Sequence, residues 1–124
     1  MFKYFASLVR GKLSESDPSK LQTRFSLRLN KRVRQVTVAG SFNHWSPFHH
    51  ALRLSSSGTW EIVIPLVPGT YQYRFLVDNT EWVLDPFTRS IFNEHGGRDS
   101  IVCIERREKE MASVRKDAIL VQTA

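Results

Sequence analysis

Three tryptophans, four histidines, one cysteine and a scatter of carboxylates are the side chains of this 124-residue chain that could do chemistry. His44, His49 and His50 lie close together, but their spacing fits no common zinc pattern and no carboxylate stands beside them. The single Cys103 excludes an intrachain disulfide and a CxxC zinc site, and fits a reducing, cytoplasmic setting. Asp78, Asp85 and Glu94 offer carboxyls for glycoside hydrolysis, yet Asp78-Asn79 and Asp85-Pro86 read as turns. No Walker, GxSxG or HExxH motif is present. The expectation is a non-catalytic protein with no catalytic residues, no metal and no cofactor.

The tryptophans divide by context. Trp60 alternates with Ile62 and Ile64 and belongs to the core or its edge. Trp45 instead falls in a loop after a strand, and Trp82 in a short polar strand after the Asp78-Asn79 turn, both outside the core. Arg74 lies between Tyr73 and Phe75, so period two points it outward, either to a ligand or to a solvated ion pair with Glu81.

The elements that must position these residues read mostly with period two. Phe25, Leu27 and Leu29 alternate with polar residues, as do Val36 and Val38; Leu52 and Leu54 flank Arg53. Trp60 to Leu66 and Tyr71 to Val77 repeat the pattern, and Glu81–Leu84 and Ser100–Ile104 add short runs. Turn residues at Ser55–Gly58, Pro68-Gly69, Asp78-Asn79, Asp85-Pro86 and Gly96-Gly97 separate them. About seven such strands predict an all-β, immunoglobulin-like antiparallel sandwich over residues 22–104. Residues 1–21 form a basic tail and linker, and residues 105–124 a charged tail. Phe2, Phe5, Leu8/Val9 and Leu13 fall three or four apart, and so do Met111, Val114, Ala118 and Val121, which predicts a short helix at each end.

The stretch from Val36 to Phe87 resembles the glycogen-binding domain of the AMP-activated protein kinase β subunit, within carbohydrate-binding module family 48. That family also supplies N-terminal domains to branching enzymes and isoamylases. The residues that carry the resemblance are Gly40-Ser41-Phe42-Asn43-His44-Trp45, Gly58-Thr59-Trp60-Glu61, Pro68-Gly69, Tyr71-Gln72-Tyr73-Arg74-Phe75 and Val77-Asp78, followed by Asp85-Pro86 and Gly96-Gly97. It covers roughly residues 22–104. The resemblance implies a sandwich that binds α-1,4-linked glucans such as glycogen, starch or maltooligosaccharides.

It also implies a site. Trp45 and Trp82 match the family's stacking tryptophans, and Arg74 matches a basic residue that reaches sugar hydroxyls. Asn43 is a supporting contact or a residue that shapes its own turn. The last loop departs from the family's Leu-Gly-Thr-Val-Asn pattern: His95 replaces the leucine, Gly97 the threonine and Asp99 the asparagine. His95 retains the means to stack or hydrogen-bond and Asp99 to accept from a hydroxyl, whereas Gly97 has no side chain to offer. Glucose suits such a site, because an indole covers its C–H face while polar neighbours take its hydroxyls.

Charge narrows the partners. The formal net charge is +6, but residues 1–36 carry +7 and residues 37–104 carry −2. Nucleic acid is therefore a poor fit for the folded body, because a backbone reader needs positive charge on its face. No apolar run is long enough for a membrane helix. The leading function is glucan binding, with a protein partner docked through the N- or C-terminal tail. The rival is a protein-interaction scaffold of the same fold with little or no sugar affinity.

Overall fold

The computed structural model describes residues 8–13 and 17–106. Among these described residues, nine strands run β1 Leu8–Leu13, β2 Leu21–Arg28, β3 Val36–Gly40, β4 Arg53–Leu54, β5 Thr59–Leu66, β6 Gly69–Val77, β7 Glu81–Val83, β8 Ser90–Phe92 and β9 Arg98–Ile104. They form two antiparallel sheets, one in the order β1-β2-β5-β4 and one in the order β3-β6-β9-β8, with β7 also paired to β6. One turn of 3-10 helix, Ser41–Asn43, follows β3. This is the predicted all-β sandwich.

Alternation makes the core. From β2 it takes Leu21, Phe25 and Leu27, and from β5 Ile64 and Leu66. The facing sheet contributes Val36, Val38, Tyr73, Phe75, Val77, Val102 and Ile104. Phe25 packs edge-on against Tyr73, with ring centroids 4.9 Å apart, and this contact joins the sheets. Trp60 is partly buried against this core, as its alternation with Ile62 and Ile64 predicts.

Two elements differ from the sequence reading. The helix expected near the N-terminus is, over Leu8–Leu13, strand β1, paired antiparallel to β2. The physical reason is local: Gly11 weakens a helix in the middle of this segment, and the outer edge of β2 offers unpaired backbone groups. The partner register shifts along the pair, so β1 carries a bulge or similar irregularity. Strand β8 was not anticipated, because three residues are too few to show a period. The helix expected around Met111–Val121 lies outside the described residues.

Strand β6 is the axis of the face that carries Arg74. It pairs along one edge with β3, from Gly40↔Tyr73 to Val36↔Val77. Its other edge is shared by β7, through Leu76↔Trp82, and β9, through Gln72↔Ile101. Because Tyr73, Phe75 and Val77 point inward, Gln72, Arg74 and Leu76 must point outward, and the partner positions Trp82 and Ile101 face the same way. Further along, Ile91↔Asp99 brings β8 to that face.

Candidate carbohydrate-binding cleft

An open cleft of about 540 Å³ lies on the outer face of the five-stranded sheet. Trp45, Arg74, Trp82, His95 and Asp99 all line it, together with Ser41, Gln72, Ile91, Phe92, Asn93 and Glu94. The Arg74 guanidinium carbon lies 5.8 Å from the Trp45 ring centroid and 5.1 Å from that of Trp82. A cation held between two indole rings keeps both in place and leaves ring surface towards solvent. Trp82 is 43% exposed, a large fraction for so apolar a side chain on a sheet face.

Asp99 sets Arg74. Its carboxylate is almost fully buried, at 3% exposure, beneath the cleft. Oδ1 lies 3.0 Å from Arg74 Nε, and the contact is one of charge, because the Nε–H is not aligned for a hydrogen bond. Oδ1 also accepts from Asn93 Nδ2 at 3.1 Å, and Oδ2 accepts from Gln72 Nε2 at 3.1 Å. A buried carboxylate needs such partners to remain in place. Glu81, the alternative ion-pair partner of Arg74, instead pairs with Lys31 at 3.0 Å.

His95 sits at the mouth of the cleft with its side chain 83% exposed. Asn93 shapes its loop: Asn93 Oδ1 accepts from the backbone N–H groups of His95 and Gly97 at 2.9 and 3.0 Å. Gly96, at φ 88°, supplies the left-handed residue that closes this β8–β9 turn.

Asn43 is the one expected site residue that does not line the cleft. It is 7% exposed and its amide is committed to its own turn. Oδ1 accepts from the Gly40 N–H at 3.0 Å; Nδ2 donates to the Val38 carbonyl at 3.1 Å and lies 2.9 Å from His50 Nδ1. Its place is beneath the loop that presents Trp45. Gly40, where the loop begins, has no room for a side chain: a Cβ there would stand 2.6 Å from the Gln72 carbonyl oxygen.

Of the three carboxylates weighed for hydrolysis, Glu94 lines the cleft with its side chain 86% exposed, and the other two do structural work. Asp78 Oδ1 accepts from the backbone N–H groups of Arg34 and Gln35 at 2.7 and 3.0 Å. Asp85 is buried, with Oδ2 accepting from Tyr73 Oη at 2.6 Å and Oδ1 from the Phe87 N–H at 2.9 Å. Burial raises its carboxyl pKa above the usual value, against the opposing effect of those two hydrogen bonds. Neither Asp78 nor Asp85 faces the cleft. Among the described residues, no cluster of three or more His, Cys, Asp or Glu could hold a metal ion, and no helix is long and apolar enough to cross a membrane.

Sequence reasoning missed Ser41, Gln72, Ile91, Phe92 and Asn93 as cleft residues. Gln72 was within reach, since it stands two residues from Arg74 on the same strand face. Asn93 and Ile91 depend on β8, which had no periodic signal.

A small β-sandwich whose outer sheet face carries a cleft lined by an exposed tryptophan, Trp82, and a half-buried one, Trp45, has the form of a binding module. The comparisons give that class its family. Residues 23–110 match the family described as the glycogen recognition site of AMP-activated protein kinase, and the chain belongs to that family of carbohydrate-binding modules. The chain is 44% identical over 63 residues to a 1,4-alpha-glucan branching enzyme, GlgB, of Rhizobium meliloti (strain 1021), a stretch that covers 46% of this chain and 9% of the enzyme. It is 38% identical over 47 residues to the branching enzyme of Rhodopseudomonas palustris (strain ATCC BAA-98 / CGA009), covering 38% of this chain and 7% of that one. The chain thus spans less than a tenth of these relatives' length. A maltogenic amylase structure from S. marinus superposes with a TM-score of 0.63 over 82% of this chain and 16% of its own, at 18% identity, which shows a shared fold.

Proposed function

We propose that the cleft binds α-1,4-linked glucans such as glycogen, starch or maltooligosaccharides by stacking glucose rings on Trp45 and Trp82, without catalysing their cleavage or transfer. The observation that carries this reading is Arg74 held between the two indoles over the buried Asp99. The rings offer apolar faces, and the free edges of Arg74, Gln72 and His95 offer groups for the sugar hydroxyls. The branching enzymes that share this stretch act on 1,4-alpha-glucan, by name, which supports the same substrate class. An open cleft of this kind binds weakly, with Kd of about 10 μM to 1 mM, or roughly 4–7 kcal/mol. Many equivalent sites along a polymer then retain the protein by avidity. In this reading the 22–104 body is the sugar-binding unit, the setting is cytoplasmic, and a protein partner docks on the terminal segments.

The test is retention on glycogen for the wild type and a Trp45→Ala/Trp82→Ala double variant, beside a β-1,4-glucan control at low and moderate salt. Retention by glycogen alone, lost in the variant and indifferent to salt, is the expected result, since stacking on a neutral sugar carries no counterion term. A second reading, a protein-interaction scaffold, is favoured by Phe48 and Phe87, which are exposed and lie outside the cleft. Failure of the wild type to bind glycogen at either salt would leave that reading standing.

A further inference from the structure

Trp45 is held differently from Trp82. It comes from the loop that leaves β3 at Gly40 and returns along the same strand, where the Val38 N–H donates to the His50 carbonyl at 3.0 Å and the Leu52 N–H to the Val36 carbonyl at 2.8 Å. Within the loop, His44 and Trp45 are both left-handed, at φ 57° and 60°. Non-glycine residues adopt that region at a cost of about 1–2 kcal/mol each, so contacts must hold the loop in this shape.

The Trp45 N–H donates to the Gly40 carbonyl at 2.8 Å, and the Asn43 side chain makes the remaining polar contacts beneath the turn, where its chemistry dictates the state of His50. The Gly40 N–H can only donate and the Val38 carbonyl can only accept, so the Asn43 amide has a single workable orientation. That orientation aims its NH₂ group at His50 Nδ1, 2.9 Å away. Nδ1 must therefore be bare, with the ring proton on Nε2. Phe42 meets the His50 ring edge-on, with centroids 6.0 Å apart, and itself packs on Phe25, which ties the imidazole to the core.

We propose that His50 is a positioning residue for Trp45, and that a proton on its Nδ1 opens the Asn43–His50 clasp and releases the indole from the cleft. Protonation would set an N–H against the amide NH₂, two donors facing each other in a half-buried place. The groups around the ring resist that proton. Phe42 and Asn43 carry no charge, and among the described residues the charge that acts on His50 is that of neighbouring His49. Burial first, and His49 second, hold the pKa of His50 below the ordinary 6.5. The clasp is thus closed at neutral pH and opens in acid.

The consequence for affinity rests on the glucan reading above; the motion of Trp45 does not. Maltoheptaose titration calorimetry from about pH 7.5 down to about pH 4.5 should show wild-type Kd rising at least about threefold, a loss of roughly 0.7 kcal/mol. His95→Gln should keep that slope, although His95 lines the cleft, and His50→Gln should abolish it, because a glutamine carbonyl accepts from Asn43 at every pH. A slope that vanishes in His95→Gln, or a flat wild type, overturns the proposal. The sugar-free readout is the Trp45 indole N–H resonance, which should shift in step with the His50 ring signals in wild type. A stationary indole signal overturns the proposal whether or not sugar binds and whether or not His50→Gln folds. A moving indole signal with no sugar binding at any pH supports the clasp and counts against the glucan reading alone.

Discussion

The two tryptophans of the cleft are similar side chains held by different means. Trp82 stands on β7, whose pairing with β6 fixes it opposite Leu76, so the sheet that builds the core also builds this half of the site. Trp45 stands on a loop with left-handed backbone, set by a glycine with no room for a Cβ and by the three polar contacts of Asn43. Arg74 lies between them, on the strand side, with its counter-ion buried below. A strand residue inherits its position from the register of the whole sheet. A loop residue such as Trp45 depends instead on individual contacts, those within its loop and those to Arg74 and Gln72 of β6, and each can be lost singly.

The largest expected effect comes from the junction where strand becomes loop. Gly40→Val places a branched side chain where even a Cβ would lie 2.6 Å from the Gln72 carbonyl oxygen, 2.7 Å from the Phe42 ring and 2.8 Å from Tyr73 Cβ. Two of those neighbours belong to β6 and cannot move without disturbing the core. Overpacking of this severity should cost about 3 kcal/mol or more, which lowers Tm by at least about 12 °C in a domain of this size. A thermal melt checks it, and a melt unchanged by the substitution would mean that the loop is free to move away.

Next in size is the split between the tryptophans. Trp82→Ala should weaken maltoheptaose binding by at least about tenfold, because roughly 60–100 Å² of stacking surface at ~25 cal/mol per Å² amounts to about 2 kcal/mol. It should leave the circular-dichroism spectrum and Tm close to wild type, as the ring lies outside the core. Asn43→Ala, by contrast, removes no group from the cleft, yet should both lower Tm and weaken binding, since the loop under Trp45 loses its three polar contacts. Equal behaviour of the two variants would erase the distinction between strand-held and loop-held halves.

A smaller effect belongs to Asp85, behind the strand-held half. Burial raises its folded-state pKa above 3.8, so the folded protein holds that proton more tightly than the unfolded chain. Its contribution to stability is complete below pH 3.8 and is lost as pH rises through the folded value. Urea unfolding at intervals from about pH 4 to pH 7 should show this decline, and Asp85→Asn should remove it while still bonding to Tyr73 Oη. The glucan Kd of Asp85→Asn should equal that of wild type at neutral pH, because the side chain does not reach the cleft.

The same division explains what could be read from the sequence. Arg74 was legible because Tyr73 and Phe75 on either side are core residues, and two-residue periodicity needs nothing else. The sandwich followed from the same rule applied to Phe25, Ile64 and Val102. Asn43 was not legible beyond a choice between ligand and turn, because its role depends on Val38 and His50, which chain folding brings together. Asp99 was expected to meet a hydroxyl, and its burial under Arg74 arises from pairings between β6, β8 and β9 that no local pattern encodes. Strand β1 is the converse case: its apolar spacing suited a helix, and an open sheet edge decided the outcome.

That edge supplies the weakest test. In the order β1-β2-β5-β4, β1 borders the sheet that does not carry the cleft, and it touches β2 alone within its sheet. Its pairing with β2 is irregular, and the β2 positions it covers already have their core partners in β5 and the opposite sheet. Removing residues 1–16 should therefore lower stability by no more than about 1–2 kcal/mol, the scale of a few exposed ladder hydrogen bonds. The same truncation should leave maltoheptaose Kd unchanged, because the strands that carry Arg74 and Trp82 belong to the other sheet. A truncated protein that kept its Tm but lost affinity would place the N-terminal segment at the cleft itself, and the contrast between a strand-held and a loop-held tryptophan would then need a third support.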